Sequence, residues 1–254
     1  MPDVIDTPSL LLQWTRAPWD EAVCPFPVIQ IEHVEVRGAH ARADMRGFEA
    51  VRARIGAGLV SCRLPHDKLH ESMLLEDCGF RFIEMLYAPC LELADVDADG
   101  QPEDLSIELA TQADMAAIQD IAGVAFTNER FLMDYRLDPA ISGKRFERWV
   151  ASTPAHPAQR LYRIADRGRL VAFFIVELKA DGTCYWHLNA LAPDAQGQGY
   201  GRRVWLAMVR QAKRLGAQRV QTSVVARNTR VLSLYARLGF TLPAPAMTFH
   251  WVGE

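Results

Sequence analysis

The chain has 254 residues, half of them hydrophobic, and a formal net charge of −3. That length suits one large or two small domains with a sizeable core, and the charge excludes the broad basic field that holds nucleic acid. No apolar run approaches the roughly 20 residues a membrane helix needs, and Met1 to Leu12 lacks the basic start and long apolar core of a signal peptide. The five cysteines, Cys24, Cys62, Cys78, Cys90 and Cys184, are scattered, odd in number and without metal-ligand spacing. They read as reduced core thiols of a cytoplasmic protein.

Residues 1–20 read as irregular, anchored by Trp14 and Trp19. Pro27 to Val36 alternates and reads as a strand, Phe48 to Ile55 as a short helix, and Gly58 to Leu64 as a second strand. Lys68 to Cys78 is a helix stopped by Gly79. Phe80 to Leu93 is two short strands or one bent one. The acidic stretch around 96–104, with Gly100 and Pro102 and little to bury, is a linker. This divides the chain into a first domain, 1–95, and a second, 105–254. Beyond the linker come a strand, Leu105 to Leu109, and a helix opened by Thr111 and Asp114 in the manner of a capping box. Thr127 to Pro139 is a loop, and Gly143 to Ala151 a helix. Three strands with tight turns follow, Arg160 to Ala165, Leu170 to Lys179 and Tyr185 to Ala192. A helix begins after Gly201, with Val204, Met208, Ala212 and Leu215 on one face. Arg219 to Val225 alternates as a strand, Asn228 caps a helix ended by Gly239, and Thr248 to Val252 is a last strand.

Two stretches stand out. Gln196-Gly197-Gln198-Gly199-Tyr200-Gly201 joins a buried strand to a helix start, the arrangement that receives an anion: helix-start amides lack partners, and glycines let a phosphate approach the backbone. A Rossmann assignment fails, because no acidic residue ends the strand after this helix and no second βαβ unit follows in the right place. The other stretch is an echo. Leu69 to Phe80 parallels Thr229 to Phe240 at an offset of 160 residues, each ending in Gly-Phe. The first copy has no Gly-rich turn upstream and carries Leu75 where the second has Tyr235, as in a repeat that kept its scaffold and lost its site.

The order strand, Gln196-Gly-Gln-Gly-Tyr-Gly201, helix, strand, Asn228, Tyr235, Gly239-Phe240 resembles the GNAT family of N-acetyltransferases, over residues 105–254. The resemblance implies an α/β (α+β) fold with a mixed, mostly antiparallel central sheet flanked by helices, the GNAT fold, preceded here by a degenerate GNAT-like half. Trp19-Asp20 before a Phe-Pro-Val strand, Ala125 to Asp134, and Phe146-Glu-Arg-Trp149 look in addition like the dTDP-fucosamine acetyltransferase group, which acetylates the amine of a nucleotide-linked amino sugar.

The family resemblance implies acetyl-CoA as co-substrate and no metal. Its pyrophosphate would rest on Gln196, Gly197, Gln198, Gly199, Tyr200, Gly201 and Arg202, with Arg203 adding charge. Its pantetheine arm would lie along Asn189, Ala190 and Leu191, and Asn228 would touch the same arm or merely cap its helix. Tyr235, two turns from Asn228 on one helix face, is the candidate general acid for the leaving thiolate. A base for the amine is harder to place, because position 223, one common family location for a Glu, is Ser223. His187 is the first candidate, Glu177 the second and a water chain the third. By analogy Arg130, Asp134, Tyr135, Arg136 and Asp138 would receive the acceptor, Arg holding phosphate and Asp an amine or hydroxyls; the other reading is that these charges are merely solvated. Trp149 and Trp205 read as core residues. The expected function is acetylation of a small-molecule primary amine, in the sharpest form a nucleotide-linked amino sugar, with no nucleic-acid or membrane partner and a homodimer left open. The alternatives are acetylation of a protein, peptide or polyamine amine, and a non-catalytic acetyl-CoA-binding module.

Overall fold

The computed structural model describes residues 3–96 and 104–253, so most of the expected linker lies outside the described residues. The elements run β1 (Asp3–Asp6), β2 (Leu10–Arg16), α1 (Pro18–Glu21), β3 (Val28–Val36), α2 (Ala41–Ile55), β4 (Leu59–Pro65), α3 (Leu69–Asp77), β5 (Arg81–Tyr87), β6 (Cys90–Glu92), β7 (Ser106–Leu109) and α4 (Met115–Ala125). They continue α5 (Arg130–Met133), α6 (Ala140–Ser152), β8 (Gln159–Asp166), β9 (Arg169–Leu178), β10 (Thr183–Leu191), α7 (Tyr200–Arg214), β11 (Arg219–Thr222), β12 (Val224–Val225), α8 (Thr229–Arg237) and β13 (Ala246–Val252). The chain forms two compact units. One takes residues up to Leu86, Arg130–Ile141 and the stretch from Ala244 on; the other takes Tyr87–Glu129 and Ser142–Pro243. Sequence order places 130–141 and 244–254 in the second domain, whereas in the structure both group with the first unit.

The first unit is built on the strand order β1-β2-β3-β4-β13-β5. β1, β2 and β3 are antiparallel neighbours, β3 and β4 are parallel, and β13 is antiparallel to both β4 and β5. The first twenty residues are therefore not irregular. Leu10, Leu12 and Trp14 alternate into the core, with half-buried Leu11 and Gln13 between them. Trp14 is the anchor, edge-on to Phe48 at 5.1 Å, while Trp19 is 55% exposed. α2 begins at Ala41 rather than near Phe48, because its first two turns already bury Ala41 and Met45. The expected loop 127–139 contains α5, and Phe131, Leu137 and Ile141 pack on Ala17, Val28 and Leu59. Burial of that apolar set ties the segment to the first unit.

The second unit has the strand order β7-β8-β9-β10-β11-β6. Four strands, β7 to β10, form an antiparallel meander; β11 is parallel to β10, and β6 is antiparallel to β11. The stretch Phe80 to Leu93 thus yields two strands, one for each sheet. α7 lies on the sheet through Val204, Trp205, Met208 and Val209, all buried. Phe174 meets both Trp186 and Trp205 edge-on, at 5.3 and 5.2 Å. Such ring pairs add about 1 kcal/mol each beyond the area they bury. Lys213 and Arg214 favour the negative end of α7, and Gly216 (φ 80°) stops it in the left-handed conformation.

The two units repeat one plan. Parallel pairing of β3 with β4 covers four positions, Val28–Leu59 to Ile31–Cys62, and that of β10 with β11 covers four, Thr183–Arg219 to Trp186–Thr222. Each inner strand then carries one extra residue against its antiparallel neighbour, Glu32 in β3 and His187 in β10. A helix of 15 residues follows each, and α3 and α8 end alike, with Phe80 N–H on Leu75 O and Phe240 N–H on Tyr235 O, both at 3.0 Å. The helix–Gly–Phe echo of the sequence is thus embedded in a longer correspondence of sheet, bulge and crossover.

Candidate functional site

The bulge at His187 is where β10 and β11 part. Thr222, the last paired residue of β11, donates its hydroxyl to Trp186 O at 2.9 Å, and its own amide goes to Pro89 O. β10 continues alone on that side to Leu191. Ala192 N–H bonds Val171 O at 2.9 Å, so by antiparallel alternation Ala190 and Leu188 also turn toward β9. The backbones of Asn189 and Leu191 consequently face the opened edge. Of the three residues expected along a pantetheine arm, two present that edge and Ala190, 7% exposed, packs into the core.

At the end of this edge the chain turns through Pro193–Ala195 into the Gly-rich segment. Gly197 (φ 74°) and Gly199 (φ 82°) occupy the left-handed region, which a side chain tolerates poorly. A Cβ at either would meet no atom within 4 Å, so the space beside the turn is open. Gly201 is already helical, and a Cβ there would meet Leu234 at an ordinary 3.9 Å. Gln198 folds back to donate to Asp194 O, while Gln196 continues extended into the turn. The Tyr200 side chain anchors the turn: it is 8% exposed and its hydroxyl donates to Asp166 Oδ2 at 2.6 Å. Arg203 pairs with Asp104 and Asp166. The turn's capacity for an anion therefore rests on first-turn amides and the helix dipole, with Arg202 in the first turn of α7.

Asn228 caps α8, its Oδ1 accepting from Val231 N–H at 3.3 Å. Tyr235, one helix face further along, is 1% exposed. Burial raises its phenol pKa, and the side chains of Trp205, Thr222 and Asn189 around the hydroxyl pull the other way. The hydroxyl thus sits at the parting of β10 and β11, bounded by one residue of each strand. Thr222 and Trp205 are the neighbours that sequence reasoning missed. Their only signal was burial of an alternating strand position and of a helix face, which looks like ordinary core.

The two base candidates form one pair. His187 Nε2 lies 2.8 Å from Glu177 Oε2. Burial lowers the His187 pKa, and the bond to Glu177 opposes that shift without cancelling it. A carboxylate on Nε2 holds the hydrogen there and leaves the Nδ1 lone pair as the basic position. The first unit carries the matching pair in different chemistry: Thr15 Oγ1 donates to Glu32 Oε1 at 3.0 Å across the equivalent bulge.

The five residues expected to receive an acceptor do not act as a set. All belong to the first unit. Asp134 accepts from Arg136 Nε and Nη2, both at 2.8 Å, and from His250 Nδ1 at 3.0 Å. Arg130 bonds Asp20 Oδ2 at 2.7 Å and lies 3.1 Å from His250 Nε2. An arginine can only donate, so His250 is neutral, with hydrogen on Nδ1 and a lone pair toward Arg130. Burial drives its pKa down to about 4, against the pull of Asp134. Burial also opposes the charge of Asp134, yet the bonds from His250 and Arg136 outweigh it and hold the carboxyl well below the usual range. Asp138 caps α6 through Ala140 N–H at 2.9 Å, and Tyr135 is 94% exposed. The charges of Arg130, Asp134 and Arg136 are engaged with one another, Asp20 and His250 in a largely buried cluster. Local sequence gave no sign of it, because Asp20 and His250 lie more than a hundred residues away on either side.

Residues 119–240 match the family model for the acetyltransferase (GNAT) family. A mycothiol acetyltransferase of Pseudarthrobacter chlorophenolicus is 45% identical over 92 residues, 34% of this chain and 28% of that protein. Residues 119–240 are thus a GNAT-family domain. The spore coat polysaccharide biosynthesis protein SpsD of Bacillus subtilis is 23% identical to this chain over 142 residues, 56% of the chain and 49% of SpsD. The chain thus spans less than half the length of these curated relatives. A GNAT acetyltransferase structure from Kribbella flavida covers 100% of the chain and 90% of its own, with a TM-score of 0.63 and 16% identity, a likeness of fold. The mostly antiparallel sheet flanked by helices is the GNAT fold, and no helix among the described residues is long and apolar enough to cross a membrane.

Proposed function

We propose that the second unit is an acetyl-CoA-dependent N-acetyltransferase acting on a small-molecule primary amine in the cytoplasm. The observation that carries this is the opened edge of β10, with the Gly-rich turn at its end and the Tyr235 hydroxyl between Asn189 and Thr222 at its beginning. The residues fit the co-substrate: open space at Gly197 and Gly199 for a pyrophosphate, and strand groups of Asn189 and Leu191 for an extended amide-bearing arm. Bound acetyl-CoA supplies an acyl thioester, whose C–S bond breaks as the amine N–C bond forms. His187 Nδ1 takes the proton that the amine loses, directly or through one water, while Glu177 holds the ring. Tyr235 donates its proton to the departing thiolate sulfur. The products are an N-acetyl amine and a free thiol, and the balance needs no oxidant or metal. The buried cysteines do not serve: burial raises Cys62 to about 12 and Cys78 and Cys184 to about 11, far from a reactive thiolate.

The test is thiol release with an amine panel, comparing wild type with Tyr235→Phe. The expected result is a fall in kcat of about a hundredfold with unchanged acetyl-CoA affinity. Wild type that binds acetyl-CoA yet releases no thiol with any amine would instead be a binding module. The polysaccharide role in the name of SpsD favours a sugar amine, with a nucleotide-linked amino sugar as the sharpest form.

We also infer that the first unit is a degenerate GNAT copy that holds no acetyl-CoA. Its turn between β3 and α2 has four residues, Arg37 to His40, where the second unit has eight from Ala192 to Gly199. Arg37 N–H bonds Ser9 O as Ala192 N–H bonds Val171 O, so Val36 stands where Leu191 does. The Val36 N–H is taken by the buried carboxylate of Glu71 at 3.1 Å, which closes the edge that a pantetheine would need. Titration calorimetry should give one acetyl-CoA per chain; two would refute the inference.

A further inference from the structure

Around the His187 imidazole the second unit gathers groups that the transfer step does not itself use. Tyr185, on the same strand, meets the imidazole edge-on with ring centres 4.8 Å apart. Trp149, from α6, meets it edge-on at 6.0 Å, and its indole N–H is held by Gln159 Oε1 at 3.2 Å. Lys179 Nζ lies 4.4 Å from the centre of the Tyr185 ring, and the Arg145 guanidinium 5.7 Å from that of Trp149. Tyr185, His187 and Trp149 are half-buried, and Lys179 is exposed. Two aromatic rings therefore flank the candidate base, with a cation beside each.

We propose that Tyr185, Trp149 and Lys179 form the acceptor subsite, and that it takes an amine carried on a ring that also bears an anionic group, the chemistry of a phosphorylated amino sugar. This rests on the acetyltransferase function proposed above and on the same transfer step, in which the amine proton passes to His187. The flanking aromatic walls offer apolar, weakly negative faces to the C–H face of a saturated ring and so hold it in one orientation. A flexible polyamine has no such face and brings further positive charge toward Lys179 and Arg145. An anionic substituent gains a charge-assisted bond from the Lys179 ammonium, which holds its place over Tyr185 by cation–π attraction. Glu177 is bonded to His187, so it orients the base rather than holding the substrate's anion or its second amine.

The probes are glucosamine 6-phosphate, glucosamine and spermidine, measured with the intact chain both by calorimetry without acetyl-CoA and by thiol release with it. Glucosamine 6-phosphate should bind about tenfold more tightly than glucosamine, the scale of one charge-assisted contact, with spermidine weakest. Lys179→Glu should abolish that preference while leaving the KM for acetyl-CoA and the melting temperature unchanged. Tyr185→Ala should weaken both sugars about tenfold and leave the phosphate preference intact. The subsite is wrong if spermidine binds most tightly, if the two sugars bind alike, or if Lys179→Glu leaves the preference in place. Absence of thiol release with every amine would overturn the transferase reading alone, since the calorimetric order still decides the subsite.

Discussion

Replacing Asp134 with alanine separates two roles for this residue, ligand contact and internal support. Its side chain is 1% exposed and accepts four bonds, two from the Arg136 guanidinium at 2.8 Å, one from the Arg136 backbone N–H at 3.3 Å and one from His250 at 3.0 Å. At 2.8 Å and an effective dielectric near 20, the Asp134–Arg136 attraction alone is about 6 kcal/mol, much of it offset by desolvation. Alanine removes the partner but leaves the cost: the Arg136 guanidinium keeps only His250 O at 3.2 Å, and the His250 Nδ1–H is stranded in a fully buried ring. Broken buried pairs cost about 3–5 kcal/mol, which for a chain of this size is a fall in melting temperature of about 10 °C. Asp134→Asn keeps one acceptor and should lose about half as much. Thermal unfolding by circular dichroism reads the stability, and the acceptor KM of the soluble fraction reads the site. A melting temperature within about 2 °C of wild type with a tenfold rise in acceptor KM would refute the structural role.

His250 gives the same cluster a pH dependence. Its pKa is about 4 in the fold against an ordinary 6.5, so the unfolded chain binds the extra proton first. The stability it contributes is full above pH 6.5 and declines by about 1.4 kcal/mol per pH unit until about pH 4. Urea unfolding between those values should show that slope in wild type, and His250→Gln should flatten it. Glu177→Gln tests the base. His187 acts unprotonated, and its pKa is lowered first by burial, with Lys179 and His156 adding to that and Glu177 opposing it. Loss of the carboxylate charge should therefore move the acid limb of kcat/KM to lower pH and reduce kcat about tenfold. A limb that stays or rises would remove His187 from that role.

Much of the second unit was legible because its signals are local. The Asn228 cap, the capping box of Thr111 with Asp114 and the glycines at positive φ are fixed by neighbours within a few residues. So was the spacing of Asn228 and Tyr235, since two positions on one helix face need no tertiary information. The destination of a strand is another matter. Thr248 to Val252 alternates correctly, yet nothing in it says that β13 belongs between β4 and β5. The same limit hid β2, where Leu11 interrupts the visible alternation of Leu10, Leu12 and Trp14, and the cluster of Asp20, Arg130, Asp134, Arg136 and His250, assembled from three remote segments. The internal pairing of the acceptor candidates was hidden because charge-rich loops look alike whether they meet a ligand or one another.

The place of β13 has a consequence for how the protein is made. A ribosome delivers residues 1–86 first, but the sheet they form lacks an inner strand until residues 246–252 emerge. Until then β4 and β5 each expose an edge that can recruit a strand from elsewhere. The second unit contains every strand of its own sheet once Thr222 is out, so it can close before the first. The usual order of folding during synthesis, N-terminal part first, is thereby reversed. A nascent chain halted short of residue 246 would present a finished C-terminal unit and an N-terminal one still open to proteases and chaperones.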